Sequence, residues 1–129
     1  MRLLAIGSAL RAICGDQAAL GLTFVEEAWT APKYRLYNVD GTHAALVEDE
    51  ANGVSVRGEI VEIEDGRWDE ILASEPPGIV QAPVELDDGG FVSGAVGDLT
   101  QLGERALDIS AYGDFAAYVE AERSGPRGA

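Results

Sequence analysis

The sequence predicts an α+β domain in which a curved or barrel-like sheet carries short helices at its ends. Runs with the alternating or compact apolar pattern of β-strands greatly outnumber runs with helical spacing. Several of these runs are joined by tight turn signals, which favour antiparallel neighbours. The 129 residues suffice for one hydrophobic core but not for two, so we expect a single domain at residues 1–122 and a disordered tail at 123–129.

The first half of the chain supplies strand-like segments at residues 3–6, 22–31, 34–39 and 44–47. The first of them ends at Gly7, which is typical of a buried strand that enters a tight loop. Glu26 and its neighbour break the alternation of the second segment. Between these two segments, Asp16 is expected to cap a short helix that ends before Gly21.

A helix-to-strand corner at Glu75 dominates the central stretch. Residues 54–63 alternate as a strand, and residues 67–74 follow as a short helix with an apolar stripe of Trp68, Ile71 and Leu72. The helix must stop at Glu75, because Pro76 disfavours helical geometry at the residue before it. A strand at residues 79–86 leaves immediately, so the fold sets the direction of this carboxylate. The alternative is an ordinary surface glutamate at a helix end.

The last third of the chain is predicted as a hairpin, a capped turn and a final helix. Residues 87–90 are a strong hairpin signal between two strands. Asp98 is a good N-cap for a short turn, and residues 108–113 are expected to form a loop. Asp114 then caps a helix at residues 115–122.

Charge and composition narrow the classes of partner. The net charge is −14 with nine basic residues, so binding to nucleic acid or to an anionic membrane would have to overcome repulsion. No apolar run of 18 residues is present. Cys14 is the single cysteine, which excludes an internal disulfide and fits a cytoplasmic location. It is either a small buried hydrophobe or a nucleophile without a histidine nearby in sequence. One cysteine and one histidine cannot build a His/Cys metal site, and we expect no metal and no cofactor.

Four stretches resemble one superfamily of proteins. Residues 5–10, Ala5-Ile6-Gly7-Ser8-Ala9-Leu10, are similar to the loop after the first strand of gamma-glutamylcyclotransferase-like proteins. Residues 30–37, 83–89 and 108–113 more closely resemble the C-terminal domain of allophanate hydrolase, a branch of that superfamily. The resemblance covers roughly residues 3–119. No amidase-type Ser-rich sequence precedes these motifs, so we expect a free-standing relative of that domain.

The resemblance implies a mostly antiparallel, six-stranded, barrel-like sheet with a cavity at its mouth. In the cyclotransferase branch the first loop presents backbone N–H groups to a substrate carboxylate, and here that loop is Gly7, Ser8, Ala9 and Leu10. Clustered amides form an anion site, and a glycine lets a ligand approach the backbone. The alternative is a plain strand-to-loop turn. The same resemblance places Glu75 on the catalytic acid/base.

Three further residues are candidate substrate contacts. Tyr34 and Arg35 lie in a motif of the resemblance, although successive strand residues face opposite ways and cannot both point inward. His43 could line the cavity, with a solvated loop histidine as the alternative. A role within the core or on the strand surface is the alternative for Tyr34 and Arg35.

These residues favour a small enzyme that acts on a carboxylate-bearing amide, amine or carbamate. The reaction would be cyclotransferase-like acyl transfer or the breakdown of a carbamate-like acid, as in the allophanate hydrolase branch. The alternative is a non-catalytic module, which would bind a small ligand or partner a separate amidase subunit. The expected partner is a small molecule with a carboxylate, and neither nucleic acid nor a membrane is expected.

Overall fold

The computed structural model describes residues 1–64 and 66–124, apart from the side chains of Leu72 and Ser124. Its strands are β1 (Arg2–Ala5), β2 (Leu22–Trp29), β3 (Tyr34–Val39), β4 (His43–Glu48), β5 (Arg57–Ile63), β6 (Ile79–Glu85), β7 (Phe91–Gly97) and β8 (Ala106–Asp108). Its helices are α1 (Arg11–Cys14), α2 (Trp68–Ser74), α3 (Leu99–Leu102) and α4 (Phe115–Ser124). Three 3₁₀ turns cover Gln17–Leu20, Gly103–Arg105 and Ser110–Tyr112.

The strands form one mixed sheet in the order β2-β5-β1-β7-β4-β3-β8, with β6 on the other side of β7. In the part of the chain that the structure describes, the pairings are antiparallel except where β7 meets β1 and β4. The α+β class is therefore confirmed. The expected six-stranded barrel is wrong in two respects, because eight strands are present and the sheet is not closed.

The segments just after β2 and just after β6 meet over a short length, so the sheet is barrel-like without being closed. An isolated bridge joins Thr30 to Leu86, and Asp87 N–H donates to the carbonyl of Trp29 over 2.9 Å. The rest of β2 pairs with β5 alone, and its register shifts between Phe24 and Glu26. This bulge explains why the alternation breaks near Glu26, since one extra residue turns the following side chains to the other face.

The capped turns occur where the sequence predicts them. Asp16, Asp98 and Asp114 each accept a hydrogen bond from the backbone N–H two residues later, at 2.9–3.0 Å. Helix α4 continues to Ser124, two residues beyond its predicted end, and residues 125–129 of the expected tail lie outside the described residues. The expected loop at 108–113 instead follows strand β8 and contains a 3₁₀ turn.

The core lies between the inner face of the sheet and the helices. Its fully buried members include Leu4, Leu36, Leu46 and Val61, while Trp68 and Ile71 of α2 are half-buried and pack against it. A Cβ on Gly94 would lie 2.9 Å from Val84 Cγ2, so β7 needs a glycine where it crosses this core. The side chain of Leu72, the third member of the predicted α2 stripe, lies outside the description.

Candidate active site

A cavity of about 310 Å³ opens between the loop after β1 and the end of α2. Its walls come from five parts of the chain: β1 with its loop, the start of β2, the start of β4, helix α2, and the β6–β7 hairpin. The lining side chains and backbone groups used below are those of Gly7, Ser8, Ala9, His43, Arg67, Glu70, Ser74, Glu75 and Gln81. Five of the eight residues that the sequence nominates therefore lie around one hollow.

The first loop lines the cavity with Gly7, Ser8 and Ala9. No hydrogen bond found among the described residues has the N–H of Gly7, Ser8 or Ala9 as its donor. The N–H of Leu10, in contrast, donates to the carbonyl of Gly7 over 3.0 Å and so closes the turn. Three successive amides without a protein acceptor match the donor set of a backbone anion site.

The glycine at position 7 is required by packing. A Cβ at this position would lie 2.7 Å from Ala44 Cβ and 3.2 Å from Ala44 N. Because ordinary carbon–carbon contacts lie near 3.5–4.0 Å, any larger residue would push the loop away from β4. The loop therefore rests directly on the strand that also carries His43.

A buried carboxylate holds the loop from behind. Glu59, only 2% exposed, accepts hydrogen bonds from the backbone N–H of Arg11 at 3.0 Å and from Arg11 Nε at 3.1 Å. Gln17 Nε2 also donates to Glu59, at 3.0 Å, and to the carbonyl of Ala9, at 2.9 Å. Arg57 completes the set at 3.3 Å. A buried charge with this many donors is stable only while they remain in place, so the loop and Glu59 constrain each other.

Glu75 lies at the corner that the sequence predicts. Helix α2 ends at Ser74, β6 begins at Ile79, and the Ile79 N–H donates to the carbonyl of Pro76 over 3.1 Å. The half-buried Glu75 accepts a hydrogen bond from Gln81 Nε2 at 3.1 Å. Gln81 in turn accepts one from Ser93 Oγ at 3.1 Å, so a short polar chain orients the carboxylate.

Arg67 and Glu70 form a mouth that the motif analysis misses. Their side chains are 3.4 Å apart, and Arg67 also approaches Glu64 at 3.9 Å. Helical spacing contains the signal, since Arg67 just before α2 and residues 70, 71 and 74 within it are spaced to share one face, and all four line the cavity. A cation at this rim offsets part of the negative charge of Glu70 and Glu75.

Three of the nominated residues do not line the cavity. Leu10 is fully buried in the core and its N–H is used within the loop. Tyr34 is 4% exposed, and its hydroxyl accepts a hydrogen bond from the N–H of Glu85 at 2.9 Å. Arg35 lies on the other face of β3 and pairs with Asp108 at 2.9 Å. Strand alternation predicts that Tyr34 and Arg35 face opposite ways, but it does not indicate that both side chains bind other residues outside the cavity.

Cys14 lies beneath the first loop rather than in the cavity. Its Sγ contacts the carbonyl of Ala9 at 3.6 Å, and burial raises the pKa of its thiol. A thiol with a raised pKa is a poor nucleophile at neutral pH. Within residues 1–64 and 66–124, no group of three His, Cys, Asp or Glu side chains is placed to hold a metal ion. The described helices include none that is long and apolar enough to cross a membrane.

Comparison with protein families identifies the relatives of this chain. The model of the allophanate hydrolase C-terminal domain matches residues 1–120. The chain belongs to this family. The resemblance expected from the sequence motifs is thus confirmed, and the family covers β1 through most of α4.

Several solved structures share the fold of this chain. The protein c4763, specific to uropathogenic E. coli, shares 26% identity and a TM-score of 0.80, over 92% of this chain and 94% of that one. Kluyveromyces lactis allophanate hydrolase is 20% identical with a TM-score of 0.80, and the match covers 92% of this chain but only 21% of the yeast protein. A gamma-glutamyl cyclotransferase shares the fold at 15% identity and a TM-score of 0.56, over 98% and 81% of the two chains. A search of curated proteins found no match.

Proposed function

We propose that this protein is a small enzyme for substrates that carry a carboxylate beside an amide, amine or carbamate. The amides of Gly7, Ser8 and Ala9 bind the carboxylate, Glu75 moves a proton at the reacting nitrogen, and His43 contacts the substrate. The observation that carries the proposal is that Gly7, Ser8 and Ala9, whose N–H groups have no acceptor among the described residues, line the same cavity of about 310 Å³ as Glu75. That volume lies at the small end of the range for ligand sites.

Glu75 is equipped for proton transfer to and from nitrogen. In a cyclotransferase-type reaction, an amine of the substrate attacks its own amide carbonyl, and the amide C–N bond breaks. Glu75 would take the proton from the attacking amine and give it to the leaving amine. In carbamate breakdown, the nitrogen gains a proton as the C–N bond breaks and CO₂ leaves. Both reactions need one mobile proton and neither consumes an external oxidant or reductant.

The hydrogen bond from Gln81 leaves one carboxylate oxygen of Glu75 available for proton transfer. Gln81 Nε2 donates to Oε1 of the carboxylate, and no hydrogen bond found among the described residues reaches Oε2. A carboxylate fixed through one oxygen can present the other to a substrate without a loss of orientation. Ser93 holds Gln81 in the required direction by its own donated hydrogen bond.

An anionic substrate can approach this acidic protein because local groups outweigh distant charge. The net charge of −14 is spread over the chain, and at physiological ionic strength its field decays over about 8 Å. At the cavity itself, the three amides and the guanidinium of Arg67 face the ligand at much shorter range. Arg67 thus supplies the only cationic side chain, His43 aside, among the residues that line the cavity in the described part of the chain.

A non-catalytic module is the second candidate. The family is defined as a domain of allophanate hydrolase, and the chain corresponds to about a fifth of the K. lactis enzyme. A domain that forms a small part of a larger enzyme can bind a ligand or support a catalytic partner without its own turnover. A separate amidase subunit is the partner of this alternative.

Two small compounds serve as test substrates for the proposal. Allophanate represents the carbamate branch, with urea and CO₂ as products, and γ-glutamyl-alanine represents the cyclotransferase branch, with 5-oxoproline and alanine as products. We expect one of them to turn over and to shift the ¹H–¹⁵N amide resonances of Gly7, Ser8 and Ala9. Glu75→Gln should abolish turnover and preserve the shifts, because it keeps the shape and removes the proton acceptor.

Glu104→Gln is the matched control, since Glu104 is exposed and lies outside the cavity lining. It should leave turnover and amide shifts unchanged. Turnover that survives in Glu75→Gln would contradict the catalytic role of Glu75. Amide shifts without turnover in the unmodified protein would favour the non-catalytic module. The absence of both turnover and amide shifts would contradict the carboxylate site for these probes.

A further inference from the structure

Arg105 connects two loops that each deliver a side chain to the cavity. Its Nε and Nη2 donate to the carboxylate of Asp40 at 3.0 and 2.8 Å, in the turn between β3 and β4. Its Nη1 donates to the carbonyl of Pro77 at 3.0 Å, in the corner after α2. We propose that Arg105 is a positioning residue that sets Glu75 and His43 at a fixed separation across the cavity. The catalytic part of this inference rests on the function proposed above.

The segment between Glu75 and Pro77, which Arg105 contacts, is short and stiff. Glu75 is two residues before Pro77, and two successive prolines leave few conformations between them. The Asp98 N–H donates to the carbonyl of Gly78 at 2.9 Å, and a Cβ on Gly78 would lie 2.7 Å from Leu102 Cδ2. The corner therefore rests on the segment from Asp98 to Arg105. A displacement of Pro77 would be passed directly to Glu75.

The turn between β3 and β4 is equally constrained. Asp40 has a positive φ of 55°, and its N–H donates to the carbonyl of Arg105 at 3.1 Å. The hydrogen bond from Arg105 lowers the pKa of the Asp40 carboxyl, so the pair is ionised at neutral pH. His43 begins β4 only three residues later and lines the cavity. The guanidinium thus joins both loops through Nε, Nη1 and Nη2, and lysine cannot reproduce this rigid fork of donors.

A second arginine provides a control of the same kind. Arg35 donates to the carboxylate of Asp108 at 2.9 Å and to the carbonyl of Asn52 at 2.8 Å. Its side chain is 27% exposed, against 34% for Arg105. Neither Asp108, at the end of β8, nor Asn52 lines the cavity. Arg35→Gln should therefore reproduce the loss of stability without the loss of positioning.

The test compares Arg105→Gln, Arg105→Lys and Arg35→Gln in the full chain. NMR records the carboxyl ¹³C resonance of Glu75 and the ring resonances of His43, and denaturant titration records stability. We expect both sets of resonances to move in Arg105→Gln, to move less in Arg105→Lys, and to stay unchanged in Arg35→Gln. With allophanate or γ-glutamyl-alanine, whichever turns over, kcat/KM should fall about 100-fold in Arg105→Gln, the loss typical of a 1 Å misplacement of a catalytic group.

The outcomes separate the two proposals. If Arg105→Gln moves the Glu75 and His43 resonances no more than Arg35→Gln does, the positioning role is wrong. If the resonances move and neither probe turns over in the unmodified protein, the positioning role stands and the proposed enzymatic function fails for these substrates. If turnover is present in the unmodified protein and equal in Arg105→Gln and Arg35→Gln, the catalytic importance of Arg105 is refuted.

Discussion

Replacement of Gly7 by alanine should destabilise the protein through a single contact. The new Cβ would lie 2.7 Å from Ala44 Cβ, about 1 Å short of an ordinary carbon–carbon separation. The loop cannot move freely to relieve this, because Glu59 anchors its far end at the N–H of Arg11. Overpacking in such a place costs about 1–3 kcal/mol. In a domain of this size we expect the melting temperature to fall by about 4 °C per kcal/mol.

A double-mutant cycle isolates that contact. Ala44→Gly removes the opposing methyl group and costs about 1–2 kcal/mol by itself, from lost burial and from a glycine within a strand. In the double variant the closest remaining neighbour of Cβ is Ala44 N at 3.2 Å, so the main clash is gone. We expect the double variant to be more stable than the sum of the two changes by about 1–2 kcal/mol.

Denaturant titration of the unmodified protein, the two single variants and the double variant supplies the four free energies of unfolding. Ser8→Ala is the control, since Ser8 is exposed in the same loop and its replacement should change stability by about 0.5 kcal/mol or less. Changes that add to within about 0.3 kcal/mol would refute the reasoning, because independent sites behave in that way. The position of the first loop would then depend on something other than its contact with β4.

Two further predictions concern carboxylates. Glu59→Gln should lower the free energy of unfolding by about 2–3 kcal/mol, because the hydrogen bonds from Arg11 lose their charged acceptor. It should also broaden the amide resonances of the first loop in NMR spectra. Unchanged stability would contradict this prediction. Burial would raise the pKa of Asp108, but hydrogen bonds from Ser110 and Arg35 outweigh it and lower the pKa. A lowered folded pKa contributes stability above the unfolded value of about 4 and loses it at lower pH. Asp108→Asn should therefore be less stable than the unmodified protein at pH 7, and the gap should narrow below about pH 4 in denaturant titrations; a gap independent of pH would oppose it.

Local sequence signals were sufficient for much of the fold. The alternation of residues 34–39 and the turn at residues 87–90 predict β3 and the β6–β7 hairpin, because these signals lie within one segment. Helix α1 and strand β8 have four and three residues, too few for a hydrophobic period to show. The order of strands around β7, which pairs with β1, β4 and β6, depends on contacts between distant segments, and local patterns contain no such information.

The site was predictable where covalent geometry determines it. Pro76 fixes the end of α2, so the corner at Glu75 follows from neighbouring residues alone. Glu59 was missed because a glutamate in a strand usually indicates a solvated face, whereas four successive residues of β5, from Gly58 to Val61, are buried, so both faces of the strand are covered there. Arg105 was missed because its two partners are 65 and 28 residues away in sequence.

The scarcity of basic residues gives these long-range contacts their importance. The chain has nine lysines and arginines against 23 acidic residues, so acidic side chains greatly outnumber the basic ones and repel one another. The arginines are placed where one guanidinium can join separate elements. Arg57 joins Glu27 of β2, Glu59 of β5 and Asp114 at the start of α4, while Arg105 joins the turn before β4 to the corner after α2. Because a planar guanidinium fixes direction as well as distance, each of these two residues constrains the relative position of the elements it joins. Arg57 supports the loop with the amides, and Arg105 supports the corner with Glu75.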